Sequence, residues 1–223
     1  MEYVKTQIRR IYRNRMILTG ILTGWILIPL LIGLSETARN PDSANSSAFI
    51  AVLIMAAIPF AFFLHALINR ANYKSSKYYK ALGNLQLGDA ETVEAAVNQE
   101  AAGHMIHSVR QFTLTNHWAL IAQGMSFRAR PLRDLVWVYM HITRTNFGAR
   151  YYALMFAFAD RRQIRVQFKN EDECLVMMRL ISEVCPYVVV GYSPERLRSF
   201  RSASGAFTGD AILERWHQYP PVV

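Results

Sequence analysis

The side chains able to do chemistry are few, and most stand alone. Glu100, His104 and His107 fall at i, i+4 and i+7 of LGDAETVEAAVNQEAAGHMIHSV. Asp89 as a cap, acidic residues at the start and alanines in the middle predict a helix there. That spacing sets a carboxylate and two imidazoles on one face, as a divalent cation would need. No cluster of Cys or His elsewhere completes such a site, so a solvated polar face is expected. His117 and His141 could act as general bases, but each falls on a predicted strand without an identifiable Asp, Ser or Cys partner. Cys174 and Cys185 are eleven residues apart, too far along a helix to bond, and read as buried thiols of a reducing compartment. The chain has no P-loop, G-x-G-x-x-G, G-x-S-x-G, H-E-x-x-H or C-x-x-C motif. No catalytic residue, metal, cofactor or small-molecule substrate is therefore assigned, and the chain is read as a non-enzyme; an enzyme with an unrecognised site is the residual alternative.

The remaining candidates are cations. The 223 residues carry a formal charge of +9, which invites a nucleic-acid reading. The excess is uneven: residues 1–80 hold ten Lys/Arg against three Asp/Glu, whereas residues 81–223 hold fifteen against thirteen. Arg9, Arg10, Arg13 and Arg15 precede one apolar run, and Arg70, Lys74, Lys77 and Lys80 follow a second. These eight are candidate contacts for an anionic lipid surface. A second group, Arg128, Arg130, Arg133, Arg144, Arg150, Arg161, Arg162 and Arg165, lies near predicted strand ends and turns, either as headgroup contacts or as solubilising charge. With no stripe of basic and stacking aromatic residues, nucleic-acid binding is not expected.

The two apolar runs position the first group. Met16–Ser35 and Ser43–Asn69 contain no charged residue, and their cores of 19 and 21 residues match the roughly 20 needed to cross a bilayer as helix. Two transmembrane helices are expected, at about residues 16–34 and 48–68, with Pro29 and Pro59 tolerated as kinks because a helix satisfies its own backbone. A basic N-terminal segment, 1–15, precedes the hairpin of 16–69. Cationic flanks are retained on the cytoplasmic side, so both termini are expected there and the connection SETARNPDSANSS outside. The apolar core is long and lacks an A-x-A-like site, which disfavours a cleaved signal. Asn45-Ser46-Ser47 matches a glycosylation pattern but abuts the second helix. Gly20 and Gly24, with Ala57 and Ala61, are small-residue pairs that would let backbones approach, within the hairpin or in a homodimer.

Residues 70–110 read as a basic, tyrosine-rich juxtamembrane stretch and a helix. From Phe112 the period changes to two. FTLTNHWALIAQ, MSFRARPLRD, LVWVYMHITRT, RYYALMFAFAD and QIRVQFK are β-branched and aromatic runs separated by turn signals, the last two joined by Asp160-Arg161-Arg162. In the central run, Val136, Val138, Met140 and Ile142 are expected to face the core. Leu135, Trp137, Tyr139, His141 and Thr143 should form a partly covered face, with Trp137 and Tyr139 as candidate partner-facing aromatics. Asn170 then caps an amphipathic helix with Glu173 at N3, Pro186 ends it, and Ser193-Pro194 opens another. A loosely held tail, 201–223, completes the chain.

Strands followed by one amphipathic helix resemble the pleckstrin-homology-like (PH-like) domain, here over FTLTNHWALIAQ, RPLRDLVWVYMHI, the following hairpin and EDECLVMMRLISEV. Together with the N-terminal runs, the chain resembles uncharacterised bacterial two-pass membrane proteins with a cytoplasmic PH-like domain. The resemblance implies an α+β fold: a transmembrane helical hairpin, then, over 111–200, an antiparallel β-roll or sandwich closed by a C-terminal helix. It implies a plasma-membrane location and no particular activity. The expected function is an adaptor that binds a protein partner or another copy at the cytoplasmic face of the bilayer; an anionic-headgroup sensor is the alternative.

Overall fold

The computed structural model describes residues 2–39, 46–85, 87–109 and 111–201. The tail beyond Arg201, Asn45 and the middle of the connection between the first two helices lie outside the described residues. The chain forms two compact units, an N-terminal helical one built from Glu2–Ala95 with the turn Gly124–Phe127, and one built from Ala96–Gln123 and the residues from Arg128 onward.

In the helical unit, α1 spans Tyr3–Arg39 and α2 spans Ser46–Ala71. The basic N-terminal segment is thus the first turns of a single 37-residue helix rather than a separate piece. Val4, Ile8, Ile11 and Tyr12 recur at helical spacing and are buried, as are Tyr78, Tyr79 and Leu82 of α3 (Lys77–Gly83). Ser76 caps α3, its Oγ accepting from Tyr79 N at 3.2 Å. Beyond this foot the pattern inverts. Ile17, Leu18, Ile21, Leu22, Ile28, Leu31 and Ile32 of α1 are exposed, as are Ile54, Met55, Ile58, Phe60, Phe62 and Ile68 of α2. In α2 the stretch Ile54–Ala71 is long and apolar enough to cross a membrane. Hydroxyls among these apolar turns bond inside their own helix: Thr19 Oγ1 donates to Arg15 O at 2.8 Å and Thr23 Oγ1 to Thr19 O at 2.7 Å. Gly20 faces α2, where a Cβ would stand 3.6 Å from the Phe63 ring. Gly24 has open space around it, and Ala57 and Ala61 are exposed. Among the described residues of α2, Ala56 and Ala66 are buried small residues.

Helix α4 (Ala90–Gly103) begins where Asp89 Oδ1 accepts from Thr92 N at 2.7 Å. It ends earlier than the sequence predicted, because Met105–Val109 is strand β1. Strands β2 (Phe112–Thr115), β3 (Trp118–Gln123) and β4 (Ser126–Pro131) follow, giving a first sheet in the order β1-β2-β3-β4. A second sheet, in the order β7-β6-β5-β8, comprises β5 (Leu135–Arg144), β6 (Arg150–Phe158), β7 (Gln163–Phe168) and the two-residue β8 (Val189–Val190). β5, β6 and β7 pair antiparallel, but β8 runs parallel to β5, so this sheet is mixed where an antiparallel one was expected.

Helix α5 (Glu171–Val184) starts at Asn170, whose Oδ1 accepts from Glu173 N at 2.9 Å, and Glu173 Oε2 accepts from Lys169 N at 3.0 Å. Its stripe Cys174, Met177 and Ile181 is buried in one core with Phe112, Leu114, Leu154, Phe156, Val166 and Phe168. Phe112 stacks on Phe156 at 4.8 Å between ring centroids. Each such side chain contributes about 1.5–3 kcal/mol when fully withdrawn from water. The result is α+β: an N-terminal helical region, then two sheets compatible with a β-sandwich and the amphipathic helix α5 in their core. Helix α6 (Pro194–Arg201) ends the described chain, with Arg196 N donating to Ser193 Oγ at 3.4 Å.

Candidate functional site

Where α1 and α2 meet at their basic ends, the helical unit opens a cleft of about 700 Å³. Arg9, Arg10 and Arg13 line it from α1, Arg70 from the last turn of α2, with Thr6, Leu67 and Ala71 completing the wall. Residues three and four apart share a helix face, which brings the three α1 arginines together. Arg70 sits at a helix C-terminus, where a cation is favoured. Among the described residues no carboxylate lines the cleft. Among the described residues, none of the four guanidiniums has an ion-pair partner; Arg9 lies 6.0 Å from the Tyr73 ring and Arg70 Nη1 lies 3.8 Å from Met16 Sδ. Glu2 acts on Arg9 only at a distance, so the four cations around one opening still repel each other, and an anion with several oxygens relieves that repulsion. The planar fork of arginine suits bidentate contact with phosphate or carboxylate.

The other four juxtamembrane cations are engaged elsewhere. Arg15 Nη2 donates to Tyr78 Oη at 2.5 Å and to Met125 O at 2.9 Å, and its guanidinium lies over the Tyr12 and Tyr78 rings. Tyr78 Oη also donates to Met125 O. Lys74 pairs with Glu91 at 2.5 Å, and Lys77 lies over the Tyr78 ring; Lys80 is exposed on α3 and does not line the cleft. Beside them Tyr73 Oη donates to the buried Glu94 at 3.1 Å; burial and that carboxylate push the phenol up to about 12. Of the eight cations nominated from sequence, the structure gathers Arg9, Arg10, Arg13 and Arg70 and uses Arg15, Lys74 and Lys77 to tie the foot together.

The strand-end arginines divide likewise. Arg130 pairs with Asp160 at 2.9 Å over the Phe158 ring, and Arg162 reaches the same carboxylate at 3.5 Å. Asp160 also accepts from Arg162 N at 3.1 Å, so one carboxylate both builds the β6–β7 turn and neutralises its cations. Arg133 lies 3.7 Å from Asp134, and Arg165 Nη2 donates to Thr143 Oγ1 at 3.1 Å.

Comparison with known families bears on one part of the chain only. Residues 90–200 match a family model described as Domain of unknown function (DUF6709). No curated protein matches the chain, and no solved structure does. The matched segment runs from the first residue of α4 into α6, just under half the chain, and leaves the arginine cleft outside.

Within the matched segment, Trp137 and Tyr139 are buried rather than partner-facing, which corrects the expectation. Their rings lie 4.2 Å apart, against Phe200 and Leu197 of α6 and Val136 and Ala157. Trp137 Nε1 donates to Gly191 O at 2.7 Å. The expected triad of Glu100, His104 and His107 does not share a helix face, since His107 belongs to β1. Glu100 instead holds His117, at 2.6 Å from its Nδ1 and 3.3 Å from its backbone N, a partner the sequence did not reveal across 17 residues. His117 sits in the turn before β3 rather than on a strand, and His141 is exposed on β5. Among the described residues no group of three His, Cys, Asp or Glu side chains could hold a metal ion. Cys174 and Cys185 are free, buried thiols, each pushed up to about 11 by burial, Cys174 also by Glu173 and Glu171 and Cys185 against an opposing hydrogen bond from Tyr187.

Proposed function

We propose that this chain is a two-pass membrane protein without enzymatic activity, whose arginine cleft holds the phosphate of an anionic lipid headgroup at the cytoplasmic face. One observation carries the reading: Arg9, Arg10, Arg13 and Arg70 surround a cleft of about 700 Å³ that no described carboxylate lines, and beyond it α1 exposes Ile17, Leu18, Ile21 and Leu22 and α2 exposes Ile54, Ile58, Phe62 and Ile68. That volume lies within the roughly 300–1,000 Å³ of ordinary ligand sites. A headgroup phosphate is the anion that meets four guanidiniums while its acyl chains meet bare leucine, isoleucine and phenylalanine. Crossing of the bilayer by both α1 and α2 is supported by the unpartnered apolar side chains on each. Both termini then lie in the cytoplasm, because the cations stand at that end. A PH-like assignment for the sheets is supported by the order of four strands, then three antiparallel strands, then α5. The adaptor reading is favoured by Leu175 and Val176, adjacent on α5 and each half exposed.

Native mass spectrometry of the full chain extracted from its own membrane separates the two readings. Retained phospholipid, preferred for phosphatidylglycerol over phosphatidylcholine on re-addition and lost in Arg9→Gln/Arg13→Gln/Arg70→Gln, supports the cleft. Equal retention of both lipids, or retention untouched by the triple substitution, refutes it. A stoichiometric second polypeptide without bound lipid would favour the adaptor instead.

A further inference from the structure

The loop between β5 and β6 places a wholly exposed aromatic ring between two arginines. Arg144 and Arg150 are directly opposed in the antiparallel register, and the five residues between them are Thr145, Asn146, Phe147, Gly148 and Ala149. Phe147 is 98% exposed. Opposed like charges destabilise a hairpin, so this pair counts against the local fold. Among the described residues neither arginine has an ion-pair partner, and no Asp or Glu occurs between Asp134 and Asp160. The tip is nevertheless fixed. Thr145 N donates to Ala149 O at 2.9 Å, Gly148 N to Thr145 O at 3.0 Å and Ala149 N to Thr145 Oγ1 at 3.1 Å. Gly148 has φ +80°, a conformation its missing Cβ permits at little cost. Behind the tip, Ile142 and Tyr151 are 40% and 44% exposed.

A hydrogen-bonded turn that holds a phenyl ring fully in water, flanked by unneutralised arginines, suits an interface that is apolar inside and anionic at its rim. We infer that the β5–β6 tip is a membrane-docking wedge: Phe147 enters the acyl boundary of an anionic leaflet while Arg144 and Arg150 meet lipid phosphates. An apolar phenyl ring gains by burial at the headgroup–acyl boundary, and each cation adds attraction to the leaflet. The charge complementarity names the occupant, since a protein surface would have to supply both an apolar socket and two acids. This inference rests on the membrane reading above but is independent of the arginine cleft.

The full chain carrying Phe147→Cys, spin-labelled and reconstituted into vesicles, tests it by power-saturation measurement of access to dissolved oxygen and to an aqueous nickel chelate. The native thiols are buried and stay protonated, so the label goes to the introduced cysteine. Ser182→Cys, exposed on α5, is the aqueous control, and Ile58→Cys on α2 is the hydrocarbon control. With phosphatidylglycerol present the label at 147 should lie below the phosphate plane. It should return to water in pure phosphatidylcholine, and Arg144→Gln/Arg150→Gln should lower its lipid-exposed fraction relative to water by about 25-fold, roughly fivefold per arginine. A label at 147 that stays aqueous in both vesicles, while Ile58→Cys reads as hydrocarbon, overturns the wedge and leaves the membrane reading intact. An aqueous Ile58→Cys would overturn both. Shielding of position 147 independent of lipid, with dipolar broadening between labels, would mean contact between copies and also overturns it.

Discussion

Trp137→Phe should loosen one end of the sheet domain without unfolding it. Gly191 makes two bonds to β5: its N–H donates to Val138 O at 2.9 Å and its carbonyl accepts from the Trp137 indole at 2.7 Å. At φ +98° this residue turns the chain from β8 toward α6, and the indole N–H is one of the two bonds that tie it to β5. Phenylalanine keeps an aromatic ring against Tyr139 and Phe200 but leaves the Gly191 carbonyl without its donor, which costs about 1–3 kcal/mol. The smaller ring also leaves roughly 40 Å³ unfilled, worth about 1 kcal/mol at ~24 cal/mol per Å³. A total near 3 kcal/mol is a factor of about 10² in the opening equilibrium. Amide hydrogen exchange of the full chain should therefore accelerate by about that factor across Val189–Arg201, while the β6–β7 ladder exchanges as before. Unchanged exchange in Val189–Arg201 would show that the indole bond does not hold the segment. Equal acceleration throughout β5, β6 and β7 would show that Trp137 belongs to the main core.

Two further outcomes follow from the same unit. Cys174 and Cys185 should be unreactive to a thiol reagent at neutral pH until the protein unfolds. Their folded pKa values of about 11 exceed the ordinary thiol value of 9, so stability should be complete below pH 9 and fall as pH rises toward 11, seen as a dropping melting temperature. Asn170→Ala removes the Oδ1 acceptor of Glu173 N and should cost about 1 kcal/mol in thermal unfolding, with Asn170→Asp close to neutral.

Where one rule governed a segment, the sequence was sufficient to place it. Alternation placed β7, whose Ile164, Val166 and Phe168 are all buried, and capping chemistry placed the starts of α4, α5 and α6. Where two rules competed, the weaker local signal won. Alternation in β5 predicted Leu135 with Trp137 and Val136 with Val138. A bulge breaks the register between Leu135↔Phe158 and Trp137↔Ala157, so Leu135 and Val138 share the main core while Val136, Trp137 and Tyr139 share the other. One extra residue reverses the faces on either side of it, and no residue type in LVWVY announces it. The cover over Trp137, expected only as a partial one, is supplied by Phe200 and Leu197 of α6. That partner is separated by some sixty residues, which periodicity cannot bridge. The α4 boundary failed for a related reason. Met105–Val109 is short and mixed, and its pairing with Phe112–Thr115 outweighs the helical pattern before it.

The cations show the limit most clearly, because charge is visible in sequence and its compensation is not. Counting placed an excess of seven positive charges in residues 1–80 and nominated eight side chains as equivalent. The fold makes them unequal: Lys74 has Glu91, Lys77 has the Tyr78 ring, and Arg15 has Tyr78 and Met125, a contact spanning 110 residues. What is left unneutralised in this region is largely set by which acids the tertiary structure delivers elsewhere, and Glu2, Glu91 and Glu94 are all taken by Lys5, Lys74 and Tyr73. The same subtraction in the sheet domain removes Arg130 and Arg162 through Asp160 and leaves Arg144 and Arg150 facing each other. A cluster of basic residues thus becomes a site only after its internal partners are accounted for. Among the described residues, two of the places where arginines keep no ion-pair partner are the Arg9–Arg10–Arg13–Arg70 cleft and the Phe147 tip, and both offer apolar surface beside the guanidiniums.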